Sequence, residues 1–336
     1  MRRFMKMMGR FALGICLLAA IAWGGAALWF DGSAMPEKAG LLALTYILLS
    51  LGLLVWMRPV RRAYLACLVL FAVLLGWWLS LEPSNGRNWL GEVARPATAE
   101  IQGDKLTLHN LRNFSYRTET DFTERWETRD YDLSRLRGLD LYMVYWGSPS
   151  IAHTILSWDF DDGKHLAISI ETRKEQGESY SAVRGFFRQY ELYYVIADER
   201  DVVGVRTNHR HEDVYLYPLR TPPARARAIL LDYLEAVNRL ASRPAWYNAL
   251  THNCTTTVRM HTSDVVAGVP VDWRWLANGH LDELLYEMGV VNRDIPFAAL
   301  KARSHINAKA QAVGPNGDFS RLIRKGLPPR PAPPAI

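Results

Sequence analysis

Cys254, in the segment WYNALTHNCTTT, is the one cysteine outside a long apolar run; Cys16 and Cys67 lie within such runs, where a small thiol needs no further role. The residues after it, to about 266, suit a helix that begins at Cys254, with Asn253 near its N-cap. A thiol there meets the positive end of the helix dipole and unpaired N–H groups, which favour thiolate and can also bind an oxyanion. A thiolate nucleophile needs a base, and position must choose among nine histidines. His153 lies inside the apolar run Ile-Ala-His-Thr-Ile-Leu, where an imidazole is costly unless hydrogen-bonded or used. A satisfied core histidine and a catalytic base both explain it.

The neighbouring turn bears on that choice. Asp161-Asp162-Gly163 can form a three-residue loop ending in a glycine bulge, which leaves Phe160 opposite Lys164 and, counting back, His153 opposite Glu171. Paired residues share a sheet face, so a carboxylate would stand beside the imidazole and orient it. A two-residue Asp-Gly turn would instead pair His153 with Thr172 and turn Glu171 to the other face. Together Cys254, His153 and Glu171 have the logic of a Cys-His-acid triad. In papain-like enzymes the cysteine helix precedes the histidine strand, so the order here is that of a circularly permuted version.

These residues need a sheet and a helix to hold them. Residues 140–146, 151–160 and 165–171 read as successive strands, and 190–197, 202–206 and 214–217 as further ones. Residues 223–240 carry an apolar stripe at helical spacing, Ile229, Leu230, Tyr233, Val237 and Leu240, expected to pack the core. The stretch 119–129 alternates charge around Phe122 and Trp126 as a surface segment, and residues 198–201 read as a turn. His209-Arg210-His211 lacks the companions of a zinc site and reads as a solvated loop. No metal or cofactor is expected.

Ahead of this domain, residues 11–30, 40–57 and 63–81 are apolar and free of charge, each long enough to cross a bilayer as a helix. A cleaved signal peptide is the competing reading of the first run, but two more spans follow at once, and an anchor fits better. Arg2, Arg3, Lys6 and Arg10 flank one end of the first span, and Arg58, Arg61 and Arg62 join the second to the third. The positive-inside rule then places the N-terminus in the cytoplasm and everything after Leu81 outside, in the periplasm of a bacterial inner membrane. Eight of 40 basic and two of 34 acidic residues precede Glu82, which leaves 32 of each behind it. The net charge of +6 is thus a topology signal, and no nucleic-acid partner is expected. The expected division is an anchor over 1–81, a domain over 82–325 entered through a polar connector, and a proline-rich tail over 326–336. Trp77-Trp78 suits an outer aromatic belt; Trp89 suits that belt or the core.

The segments NFSYRTETDF, YDLSRLRGLD, IAHTILSW, ISIETRKEQGE, GFFRQYELYYVIADERDV, RTNHRHEDVYLYPL, WYNALTHNCTTT and FSRLIR, in this order between about residues 87 and 325, resemble the Lnb-type periplasmic domain family, related to a bacterial lipoprotein N-acyltransferase. The resemblance implies a thiol acyltransferase or related hydrolase, with His153 and Cys254 at its histidine and Asn-Cys motifs and Glu171 at the acidic position of a Glu-x-Arg motif. Arg173 completes that motif, as a binder of an acidic group or, more simply, a structural ion-pair partner. The expected fold is three N-terminal transmembrane α-helices plus an α+β domain with an antiparallel sheet, circularly permuted papain-like (NlpC/P60-like). The leading functional expectation is acyl transfer through a Cys254 thioester from membrane lipid, with a lipoprotein N-terminus as one acceptor. Cleavage of peptidoglycan or peptide amides by the same thiol, and a non-catalytic anchored binding module, are the alternatives.

Overall fold

The computed structural model describes residues 2–33, 35–251, 254–265, 272–313 and 317–332. The chain forms two compact units, one of Met1–Ser84 with Tyr180–Tyr190 and one of Asn85–Ser179 with Glu191–Ile336.

In the first unit α1 (Arg2–Asp31), α2 (Pro36–Trp56) and α3 (Val60–Ser80) are long and apolar enough to cross a membrane. α1 and α2 approach closely because two glycines face the contact: a Cβ on Gly24 would lie 2.7 Å from the Tyr46 ring, and one on Gly25 2.7 Å from Ile47. Asp31 gathers the end of α1. Its carboxylate accepts from Trp78 Nε1 (2.8 Å), Gln189 Nε2 (2.7 Å) and the Arg188 amide (3.2 Å), while Phe187 packs against Phe30 and Trp23. The segment 180–190, which sequence patterning does not mark out, thus folds with the helices.

The second unit runs β1 (Thr98–Gln102), β2 (Lys105–Arg112), β3 (Ser115–Tyr116), β4 (Phe122–Thr123), β5 (Trp126–Asp132), β6 (Leu136–Tyr145), β7 (Ala152–Phe160), β8 (His165–Arg173), β9 (Glu191–Ala197), α4 (Glu199–Val202), α5 (Gly204–Asn208), β10 (Asp213–Pro218), α6 (Pro223–Ser242), α7 (Cys254–Val265), α8 (Leu281–Glu287), α9 (Phe297–Ser304), α10 (Asn307–Gln311) and α11 (Phe319–Ile323). The main sheet has the order β1-β2-β9-β8-β7-β6-β10, with β5 beside β2, and is antiparallel except where β2 meets β9. One face carries Tyr142, Val144, Ile155 and Val195 against Val202, Val203, Ile306 and Phe319. The other receives α6, where Trp158 Nε1 donates to the Ala226 carbonyl (2.8 Å) and Tyr233 stands edge-on to the Trp158 ring.

Two expectations need correction. Residues 202–206 are helical, not a strand: Asp198 caps α4 by accepting from the Arg200 amide, and the β-branched Val202, Val203 and Val205 are buried as a short helical layer over the sheet. Residues 198–201 are not a turn between strands but the cap and opening residues of α4, with Glu199 and Asp201 fully buried. The stretch 119–129 lies at the surface as expected, and its last residues open strand β5, paired with β2 at the margin of the sheet. Trp89 belongs to the core of the second unit, with the Arg173 guanidinium 4.2 Å from its ring.

Candidate functional site

The β7–β8 hairpin closes through Asp161, Asp162 and Gly163. The Phe160 amide donates to the Lys164 carbonyl (3.1 Å), the Gly163 amide to the Phe160 carbonyl (3.2 Å), and Gly163 takes φ +81°, a left-handed value that favours glycine. The register Asp159↔His165 through Ile155↔Ser169, continued, sets His153 opposite Glu171. Of the two registers open to the sequence, the three-residue loop is the one present.

His153 is buried, and its Nε2 lies 2.7 Å from Ser169 Oγ and 3.1 Å from Glu171 Oε1. Ser169 donates its proton to that same Oε1 (2.6 Å), and Arg206 Nη2 reaches it at 2.7 Å. Since the hydroxyl proton is committed to the carboxylate, the Nε2 position must carry hydrogen, and the ring's basic nitrogen is Nδ1. Burial by itself would raise the Glu171 carboxyl pKa. The facing His153 and Arg206 charges, with hydrogen bonds from His153 and Ser169, outweigh it and hold Glu171 well below the usual carboxylate range. Arg206 is in turn fixed by Glu212 (3.0 Å).

The β7–β8 ladder stops at Ile155↔Ser169 although β7 reaches back to Ala152 and β8 on to Arg173. Asn278 fills the place of the missing strand partner. Its side-chain oxygen accepts from the Ala152 amide (2.8 Å), and its amide nitrogen donates to the Ala152 carbonyl and to Thr255 Oγ1. Thr255 is the second residue of α7, so one side chain ties the first turn of that helix to the residue preceding His153. The Cys254 side chain and Asn253 lie outside the described residues; the Cys254 backbone opens α7.

Arg173 stands apart from this chemistry. Its guanidinium donates to the carbonyls of Val93 (2.9 Å) and Ala94 (2.9 Å) and to Asn85 Oδ1 (2.6 Å), and lies between the rings of Trp89 and Tyr193. It is a structural arginine whose acceptors are carbonyl oxygens. A second histidine, His261 on α7, is engaged at both ring nitrogens, by Asp232 and by the Tyr194 hydroxyl (2.7 Å). Seven residues of helix put it about 10 Å along the axis from Cys254, too far for direct proton transfer, so it anchors α7 to α6 and β9. Among the described residues no group of His, Cys, Asp and Glu could hold a metal ion.

Sequence reasoning missed Ser169, Arg206 and Asn278. Ser169 was within reach, being two residues before Glu171 and so on the same face. Arg206 and Asn278 carry no local signal of a role at this site.

Residues 122–279 match the sequence model of the Lnb N-terminal periplasmic domain family. That span contains His153, Ser169, Glu171, Arg206, Cys254 and Asn278. No curated protein and no solved structure matches the chain.

Proposed function

We propose that the protein is an inner-membrane cysteine acyltransferase with its domain in the periplasm, because residues 122–279 match the Lnb N-terminal periplasmic domain behind three helices apolar enough to span a membrane. The observation that carries this reading is the bridge from Thr255 through Asn278 to Ala152, which brings the helix opened by Cys254 to the strand end bearing His153 and its carboxylate.

In the proposed cycle His153 Nδ1 takes the Cys254 proton, and the thiolate attacks the carbonyl carbon of a lipid ester. The oxyanion that forms lies at the amides of the α7 first turn; losing one such donor typically costs about 3 kcal/mol of transition-state stabilisation. Collapse breaks the ester C–O bond, and the imidazolium returns its proton to the leaving alkoxide. An amine, such as a lipoprotein N-terminus, then attacks the thioester, gives its proton to His153 and releases the thiolate with an amide formed. Glu171 stays anionic throughout and keeps the ring oriented with Nε2–H inward. The cysteine helix following the histidine strand supports a circularly permuted papain-like arrangement.

The test is incubation of the full chain in detergent with phospholipid and a diacylated lipopeptide, followed by mass spectrometry. Expected are an N-acyl lipopeptide and a lysophospholipid, with no product from Cys254→Ala and a loss of about 10²–10⁴-fold in His153→Ala. Peptide or peptidoglycan cleavage without N-acyl product would replace this reading with the amidase. Neither activity, together with an unreactive Cys254 towards alkylation, would leave a binding module.

A further inference from the structure

The end of the sheet that carries His153 differs in kind from the opposite end. Around the β7–β8 turn the surface is charged: Asp132, Arg135, Asp162 and Lys164 line a shallow cleft with Lys105 and Asp130. At the His153 end the loops present large apolar side chains to solvent, with Trp146 40 % and Ile151 53 % exposed between β6 and β7, Leu250 60 % ahead of α7, and Trp273 61 % and Leu276 71 % after it. Two of these loops are locked together. The Gly279 amide donates to the Ser150 carbonyl (3.0 Å), and a Cβ on Gly279 would fall 2.1 Å from the Pro149 carbonyl oxygen, so the 273–280 segment lies directly on the 146–151 loop. The rim is continuous with the site, since the Trp146 ring is edge-on to His153 at 6.3 Å.

Single exposed apolar residues are ordinary, but five at one end of a sheet, two of them tryptophans, mark a surface that something covers. The chain itself says what. The β8–β9 connection leaves the sheet at this same end, after Arg173 and before Glu191, and its residues 180–190 belong to the helical unit. The second unit begins at Asn85, five residues beyond the end of α3 at Ser80. A chain segment that belongs to the apolar helical unit is therefore joined covalently to the strand ends that bear the rim, and tryptophan with aliphatic side chains is the composition that partitions at a lipid interface.

We propose that Trp146, Ile151, Leu250, Trp273 and Leu276 form a lipid-docking rim that inserts into the leaflet adjoining the domain. The site at its centre then opens onto acyl chains rather than onto water. The proposal needs no step of the catalytic reading, and its test uses none. In a Cys16→Ser, Cys67→Ser, Cys254→Ser background of the full chain, single cysteines Leu276→Cys, Ile151→Cys and, at the charged end, Asp162→Cys are labelled with an environment-sensitive fluorophore. Each is placed one copy per nanodisc of phosphatidylethanolamine and phosphatidylglycerol. Expected are blue-shifted emission and quenching by acyl-chain nitroxide lipid at 276 and 151, with quenching by aqueous iodide only at 162. Iodide quenching at 276 and 151 equal to that at 162 would overturn the proposal. So would shielding from both quenchers, which would mean that protein covers the rim.

Discussion

Glu171 Oε1 receives the Ser169 hydroxyl, the Arg206 guanidinium and His153 Nε2–H at one atom, and this convergence is what makes the carboxylate so resistant to protonation. Because its folded pKa is depressed, Glu171 adds stability that is fully present above its unfolded value of about 4.3 and is lost as pH falls toward the folded one. Thermal melts from pH 7 down to 3 should therefore fall more steeply below about pH 4 for the wild type than for Glu171→Gln; parallel curves would show that the carboxylate is not held low. The residues Asp161-Asp162-Gly163 narrowed the partner of His153 to Glu171 or Thr172, and the hydrogen bonds of the folded loop chose Glu171, because a left-handed glycine serves both loop lengths. Arg206 was not readable, because it reaches Glu171 from 35 positions away and from a helical turn whose β-branched neighbours read as a strand.

At the scale of elements, α7 and β7 are joined by a side chain acting as a strand. Asn278→Ala removes the donor and acceptor that satisfy both backbone groups of Ala152, as well as the bond to Thr255. A loss of about 1–3 kcal/mol is expected, with faster amide exchange at Ala152 and Thr255 and lower acyl transfer. Unchanged exchange at those two amides would show that the splayed strand ends are held by something else. Nothing around Asn278-Gly279-His280 announces this role, because the partner lies 126 residues earlier. Cys254 at a helix start was expected from Asn253 as a candidate N-cap, and α7 does begin at Cys254, burying Thr255, Thr257, Val258 and His261.

Across the whole molecule, segments far apart in sequence meet in one buried ionic cluster. Arg324, from FSRLIR, places both terminal nitrogens 2.7 Å from Glu199 and Nη2 2.7 Å from Asp140, which closes YDLSRLRGLD. Glu199 also accepts from Tyr142 and Ser157, and Arg330 of the proline-rich tail reaches Asp140 at 2.8 Å. Removing one partner leaves charge buried without its counterion, so Arg324→Met should destabilise the fold by about 3–5 kcal/mol in urea titration; a change within error would mean that water enters the cluster. The membrane orientation is tested at this scale too. Alkaline phosphatase fused after residue 332 should be active in cells and a fusion in the loop at Arg58 inactive, and the reverse pattern would invert the proposed topology.

Composition and local pattern determined the spans, the position of the net charge, most strands and the helix begun by Cys254, because each rests on apolar runs or periodicities within a few neighbouring residues. Tertiary structure decided which polar groups meet. Asn278 at Ala152, Arg206 at Glu171 and Arg324 at Glu199 are contacts across 126, 35 and 125 positions. A buried polar side chain must find a partner, but its own neighbours in sequence do not say which one the fold will bring.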